Sequence, residues 1–387
     1  MTEFDMTPVL SRATLAIHGG VSDRAPGSPV VSPIVPSVNF FQETGGRGKL
    51  VYTGSGNTPN VGMLQRRLAL LEGSEAAIVL SSGMAATSCA MLALLRPGDH
   101  LLASKWLYGG TRRLFENELP AFGVEVSFVD PTESRAWRRN IRPNTRVLFL
   151  ESPVNPTTRV LDLRPVSALS RELGLAMVID ATFASPINFH PLQHGADLVI
   201  HSATKYLNGH HDVLSGVVCG SSSVIDEIRQ KMTMWGQAPD PFAVWLLERG
   251  LKTLDVRVKR QNASAQQIAE WASQHEAFAR VHYPGLSSHP DYAIARDTLE
   301  GFGGMMAVEL AGGGDATENV LGRLRLIAHA PSLGGVESLV SEPRYTSHEH
   351  MTSAERAASG IPDGFLRLSI GLEDPADLIA DLEQATA

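Results

Sequence analysis

Two residues near the middle of the chain, Asp180 and Lys205, have the types and spacing to do chemistry together. Asp180 closes the apolar run LAMVID, residues 175–180, and Lys205 follows the run ADLVIHS, residues 196–202, in the tetrapeptide Ser-Ala-Thr-Lys. An acid at one strand end and an amine at the next suit pyridoxal 5′-phosphate (PLP). That cofactor needs a lysine for its Schiff base and a carboxylate that keeps its ring nitrogen protonated. Ser202 and Thr204 flank the lysine and can donate to phosphate oxygens. The same spacing also suits a strand-end turn acid followed by a surface lysine, and the residues alone leave both readings open.

Both runs are short, continuous and bounded by turn residues. Such runs suit strands covered on both faces, as in a parallel α/β sheet, where ligands sit beyond the carboxyl ends of the strands. The neighbouring segments repeat the pattern. A buried strand runs to Leu80, Ser81-Ser82-Gly83 turns, and an apolar helix begins near Met84. Backbone N–H groups at such a helix start bind phosphate, and Gly83 lets the backbone approach closely. Further strands are read in residues 96–104, 124–131 and 146–156, with a helix over 166–174 before the central stretch. Strand–helix alternation predicts a doubly wound, largely parallel sheet. Neither Walker nor Rossmann glycine spacing occurs, which argues against a nucleotide cofactor. Residues 1–60 are rich in Pro, Gly and Ser and read as an extended arm packing on something else, often a neighbouring subunit.

Composition narrows the partners. The 387 residues are 43% hydrophobic and 19% charged, and the net charge is −8, which disfavours nucleic acid and anionic membrane. No apolar run approaches the roughly 20 residues that span a bilayer, and the first residues carry acids with no signal-peptide core. Cys89 and Cys219 sit in apolar surroundings and read as buried thiols of a reducing cytoplasm. His210, His211 and Asp212 are adjacent, so they do not converge on one metal ion, and the same holds for His348 and His350.

The stretch Asp-Ala-Thr-Phe-Ala-Ser-Pro, followed by His-Ser-Ala-Thr-Lys-Tyr-Leu-Asn-Gly-His, resembles the signature of the Cys/Met-metabolism PLP enzymes. These include cystathionine γ-synthases, cystathionine γ- and β-lyases, methionine γ-lyases and O-acylhomoserine sulfhydrylases. The resemblance runs through nearly the whole chain. It implies a fold-type I α/β transferase: a mostly parallel seven-stranded sheet with helices on both faces, plus a smaller α+β C-terminal domain. The expected division is an arm over residues 1–60, a PLP-binding domain over 61–255 and a C-terminal domain over 256–387. By resemblance Lys205 carries the cofactor, Asp180 pairs with its ring nitrogen, and Tyr108 stacks on its ring. Gly83, Met84, Ser202 and Thr204 hold the phosphate, with Tyr52 reaching it from a neighbouring subunit. Asn155 meets the ring hydroxyl and, with Ser332, supports the pairing of Arg367 with the substrate α-carboxylate. Arg113 lies near the substrate's distal end. The resemblance further implies a cytoplasmic homotetramer, a dimer of dimers with shared active sites.

Five positions depart from the family pattern. Ala181 replaces the usual Asn, Gly54 stands where an arginine reaches the cofactor phosphate, and Arg112 stands where a Tyr is usual. Pro331 replaces the Glu that synthases often carry, and Gly110 replaces the Cys of methionine γ-lyases. Arg47 and Lys49 are the nearby cations able to substitute at Gly54, and Arg112 with Arg113 could hold an anionic tail or merely solvate a helix. The expected activity is γ-elimination or γ-replacement on a sulfur amino acid or O-acylhomoserine, with cystathionine β-lyase or a specialised γ-substitution enzyme as the alternative.

Overall fold

The computed structural model describes residues 10–21, 25–46, 48, 50–349 and 351–387. Arg47, Lys49 and His350 lie outside the described residues. A seven-stranded sheet holds β1 (Ala76–Leu80), β2 (His100–Ser104), β3 (Glu125–Val129), β4 (Thr145–Glu151), β5 (Ala176–Asp180), β6 (Leu198–Ser202) and β7 (Gly216–Gly220). Their order is β1-β7-β6-β5-β4-β2-β3, and β7 alone opposes its neighbours. The central strands are apolar on both faces because helices cover both sides, and each face has its own core. Chain order and spatial order together bring the carboxyl ends of β1, β2, β4, β5 and β6 to one edge, where the loops that follow them meet.

A second sheet holds β8 (Phe278–His282), β9 (Met305–Leu310), β10 (Ala328–His329), β11 (Leu339–Ser341) and β12 (Phe365–Ser369), in the order β10-β11-β12-β9-β8. Because β12 lies between β11 and β9, Arg367 is on an inner strand and buried, not an edge-strand surface charge. The long helix Leu254–Ala272 leads from the first sheet to the second and lays its apolar face on the second core.

The N-terminal stretch departs from a wholly extended arm. Arg12–His18 is a helix, capped by the Ser11 side chain and anchored by buried Leu15 and Ala16. After it the chain is irregular and apolar outward: Val30 and Phe41 are fully exposed. Helix Pro241–Leu251 holds it at Ser32, where the Trp245 indole donates to Ser32 O at 2.9 Å and the Ser32 hydroxyl donates to Glu248 Oε1 at 2.8 Å.

Candidate active site

A cavity of about 500 Å³ opens at the carboxyl edge of the large sheet. Glu151, Asp180, Ser202, Thr204 and Lys205 line its floor, and Ser332 and Arg367 reach it from the second sheet. Each residue arrives by local logic. Asp180 and Glu151 are the last residues of adjacent parallel strands and are paired in register, so their side chains stand side by side. Lys205 sits in the turn after β6. Ser82 caps the helix Gly83–Leu94 by accepting from Ala85 N–H, and Ser82 O accepts from Ala86 N–H. Of the first four N–H groups of that helix, those of Gly83 and Met84 have no partner among the described residues, and both residues line the cavity. A Cβ on Gly83 would lie 2.9 Å from Ser202 Cβ, so only glycine lets the helix start approach β6.

The electrostatics follow from burial. Lys205 Nζ donates to Ser332 Oγ at 2.9 Å. Desolvation, with Arg367 nearby, pushes its amine down to about 8. Asp180 is held above the usual carboxylate range by burial, although Thr182 donates to its Oδ1 from both N–H (3.0 Å) and hydroxyl (2.6 Å). That threonine hydroxyl also accepts from Ser202 N–H at 2.9 Å, joining the two strand ends. Arg367 donates from Nη1 to Asn155 Oδ1 at 2.9 Å and from Nη2 to Ser332 O at 3.0 Å. Its buried Nε has no partner among the described residues.

The other residues expected at the site fall as follows. Tyr108 lines the cavity with its ring exposed, and a Cβ on Gly110 would approach that ring to 2.5 Å. Met84, Asn155 and Arg113 line it too, with Arg113 exposed. Thr204 is present, but its hydroxyl donates to Ser215 O at 3.3 Å and accepts from Ser215 N–H at 3.0 Å, so much of its capacity is used locally. Tyr52 does not line the cavity of its own chain; its exposed ring lies against Gly54, where a Cβ would come within 2.8 Å. Arg112 faces a neighbouring groove instead. It is ion-paired to Glu116 at 2.5 Å and sits 3.7 Å from the Phe128 ring centroid, so it is a structural cation. Ser332 holds φ at 109°, a conformation that L residues rarely adopt. Two residues that sequence reasoning misses belong here, Glu151 and Thr182. A signal for Glu151 exists: it ends an apolar strand just as Asp180 does.

The chain was compared with known proteins. The model of the Cys/Met metabolism PLP-dependent enzymes matches residues 13–387. The chain belongs to that family. It is 40% identical to an L-methionine γ-lyase of Pseudomonas putida and 39% identical to a cystathionine β-lyase of Coxiella burnetii; the match covers 96% of this chain in both cases, and 96% and 97% of those proteins. A cystathionine γ-synthase of Xanthomonas oryzae pv. oryzae, solved in complex with aminoacrylate and cysteine, superposes with a TM-score of 0.93 at 39% identity, over 97% of this chain and 98% of that one. The cofactor of this PLP-dependent enzyme is therefore pyridoxal 5′-phosphate, and its chemistry is of the trans-sulfuration type. The cavity fits the group. A buried acid without an ion pair among the described residues, a partly neutral amine and uncovered helix N–H groups complement a pyridinium, an aldehyde and a phosphate.

Proposed function

We propose that the protein catalyses γ-elimination or γ-replacement on a sulfur amino acid or an O-acylhomoserine. The observation that carries this reading is the convergence, in one cavity, of a partly neutral Lys205 and a buried Arg367 whose Nε has no partner among the described residues. Lys205 would hold the cofactor's aldehyde carbon, Asp180 its ring nitrogen, and Tyr108 its ring face. Gly83, Met84 and Ser202 would cradle its phosphate, joined by Thr204 if its hydroxyl turns from Ser215 O, and Asn155 would meet its hydroxyl. When bound, PLP supplies an electron sink for the bond broken at the substrate's Cα.

The chain's own residues do the rest. Arg367, steadied by Asn155 and Ser332, binds the α-carboxylate with a planar fork that a lysine lacks. An amine whose charge is lost near pH 8 can take a proton from Cα, deliver it, and then act at Cβ, as γ-chemistry requires. Ser332 Oγ holds that amine at a fixed position between turns of proton transfer. Arg113 serves the substrate's distal end. Pro331 and Gly110 set that pocket apart: a Cys side chain at Gly110 meets the Tyr108 ring as it stands, which disfavours a methionine γ-lyase site. A β-lyase reading remains the alternative, supported by the similarity to the Coxiella protein.

We further assign a cytoplasmic homotetramer with active sites shared between subunits. The division into arm (1–60), PLP-binding domain (61–255) and C-terminal domain (256–387) goes with it. Support comes from the outward apolar arm, from Tyr52 lying off its own cavity, and from free, buried Cys89 and Cys219. No described helix is long and apolar enough to cross a membrane. The test is a visible spectrum of the purified protein. A cofactor band present in the wild type and absent in Lys205→Ala supports the assignment; an unchanged band in that variant refutes it.

A further inference from the structure

One buried group lies outside these roles. Glu151 is 5% exposed, and each of its carboxylate oxygens takes a backbone N–H: Oε2 from Tyr108 at 2.6 Å and Oε1 from Asn155 at 2.9 Å. The donors belong to different loops. Tyr108 stands at the start of the helix Gly109–Arg113 after β2, whereas Asn155 lies in the loop after β4. Through Asn155 Oδ1 the contact extends to Arg367 Nη1, 2.9 Å away. One side chain thus ties the wall carrying the aromatic ring to the wall carrying the carboxylate fork.

Burying a carboxylate costs several kcal/mol, more so beside a second acid, and Asp180 is its neighbour in register. Burial and that neighbour both push Glu151 up from the ordinary range, with the two N–H groups opposing. A glutamine would fill the space without the charge. The carboxylate's distinguishing property is that both of its oxygens accept, whereas an amide offers one acceptor and one donor. A site that needs two N–H groups held at once therefore calls for an acid.

We infer that Glu151 is a positioning residue: its carboxylate clamps the Tyr108 and Asn155 loops together and so sets the spacing between the ring-stacking tyrosine and the Arg367 fork. This inference rests on the reading of the cavity as an amino-acid site.

The test compares the full-length protein, purified with its cofactor, with Glu151→Gln and Glu151→Asp. Amide hydrogen exchange is followed over residues 106–110 and 153–157. In Glu151→Gln one of the two N–H groups faces a donor, so exchange in at least one loop rises roughly tenfold while distant helices are unchanged. The shorter Glu151→Asp cannot span both loops and loosens one of them likewise. In kinetics, kcat/KM falls on the order of a hundredfold, with KM for the amino acid raised as well as kcat lowered. Wild-type exchange rates in both loops of both variants overturn the inference. If Glu151→Gln does not fold, the same comparison on Glu151→Asp decides. Should the wild type turn over no sulfur amino acid, the functional reading fails, and the exchange result still judges the clamp.

Discussion

Replacing Arg367 by lysine keeps the charge and removes the fork. In the structure the guanidinium uses Nη1 on Asn155 and Nη2 on Ser332 O, and its buried Nε has no partner among the described residues. A single ammonium on a flexible stem cannot hold both neighbours and present a planar edge to a carboxylate. Each hydrogen bond to a charged group is worth about 1.5–3 kcal/mol. If the lysine recovers all but one of them, the loss is about 1.5–3 kcal/mol, or roughly 10–150-fold. It should fall mainly on KM, because carboxylate binding is present in both ground and transition states. The assay is 2-oxo acid release against amino-acid concentration, with competitive inhibition by an amine analogue that lacks the α-carboxylate measured alongside. Arg367→Lys should lose discrimination between the amino acid and the amine. A kcat/KM within about threefold of the wild type, with discrimination intact, would refute the assignment of Arg367.

Four further outcomes follow from the same geometry. In cofactor-free protein, acylation of Lys205 should titrate near the value of about 8 set by burial and Arg367, and the midpoint should rise in Arg367→Gln. Because the folded amine loses its proton before the unfolded one, the unfolded chain binds more protons between about 8 and 10.5. Stability should therefore gain as pH rises through that window, as read by denaturant melts. Gly83→Ala places a methyl 2.9 Å from Ser202 Cβ and Oγ, so the helix start must retreat. Overpacking of that kind costs about 1–3 kcal/mol, and PLP titration should show weaker binding; an unchanged affinity contradicts the cradle. Mixing an inactive Tyr52 variant with inactive Lys205→Ala, followed by unfolding and refolding, should restore activity if sites are shared. An unrestored mixture of correctly assembled hybrids speaks against sharing.

Much of the site was legible because strand ends are punctuated in sequence. Asp180 and Lys205 follow continuous apolar runs, and the parallel sheet puts both at one edge. Gly83 declared itself through the strand–turn–helix pattern, and the structure adds the reason, its closeness to Ser202. The illegible part depends on long-range pairing. Glu151 pairs with segments 43 and 4 residues away, and nothing in its local sequence names Tyr108 as a partner. Arg112 and Arg113 look alike in sequence, yet helical geometry turns one to Glu116 and Phe128 and the other to the cavity. The helix Arg12–His18 was hidden among Pro, Gly and Ser. Its cap is one serine, and its stability comes from burying Leu15 and Ala16 in the large core, a tertiary term.

The central claim, γ-chemistry in this cavity, is tested most directly by the products formed from L-cystathionine. γ-Elimination gives 2-oxobutyrate and cysteine, and the account predicts these, with Lys205→Ala forming neither. Pyruvate and homocysteine would contradict it and establish the β-lyase reading instead.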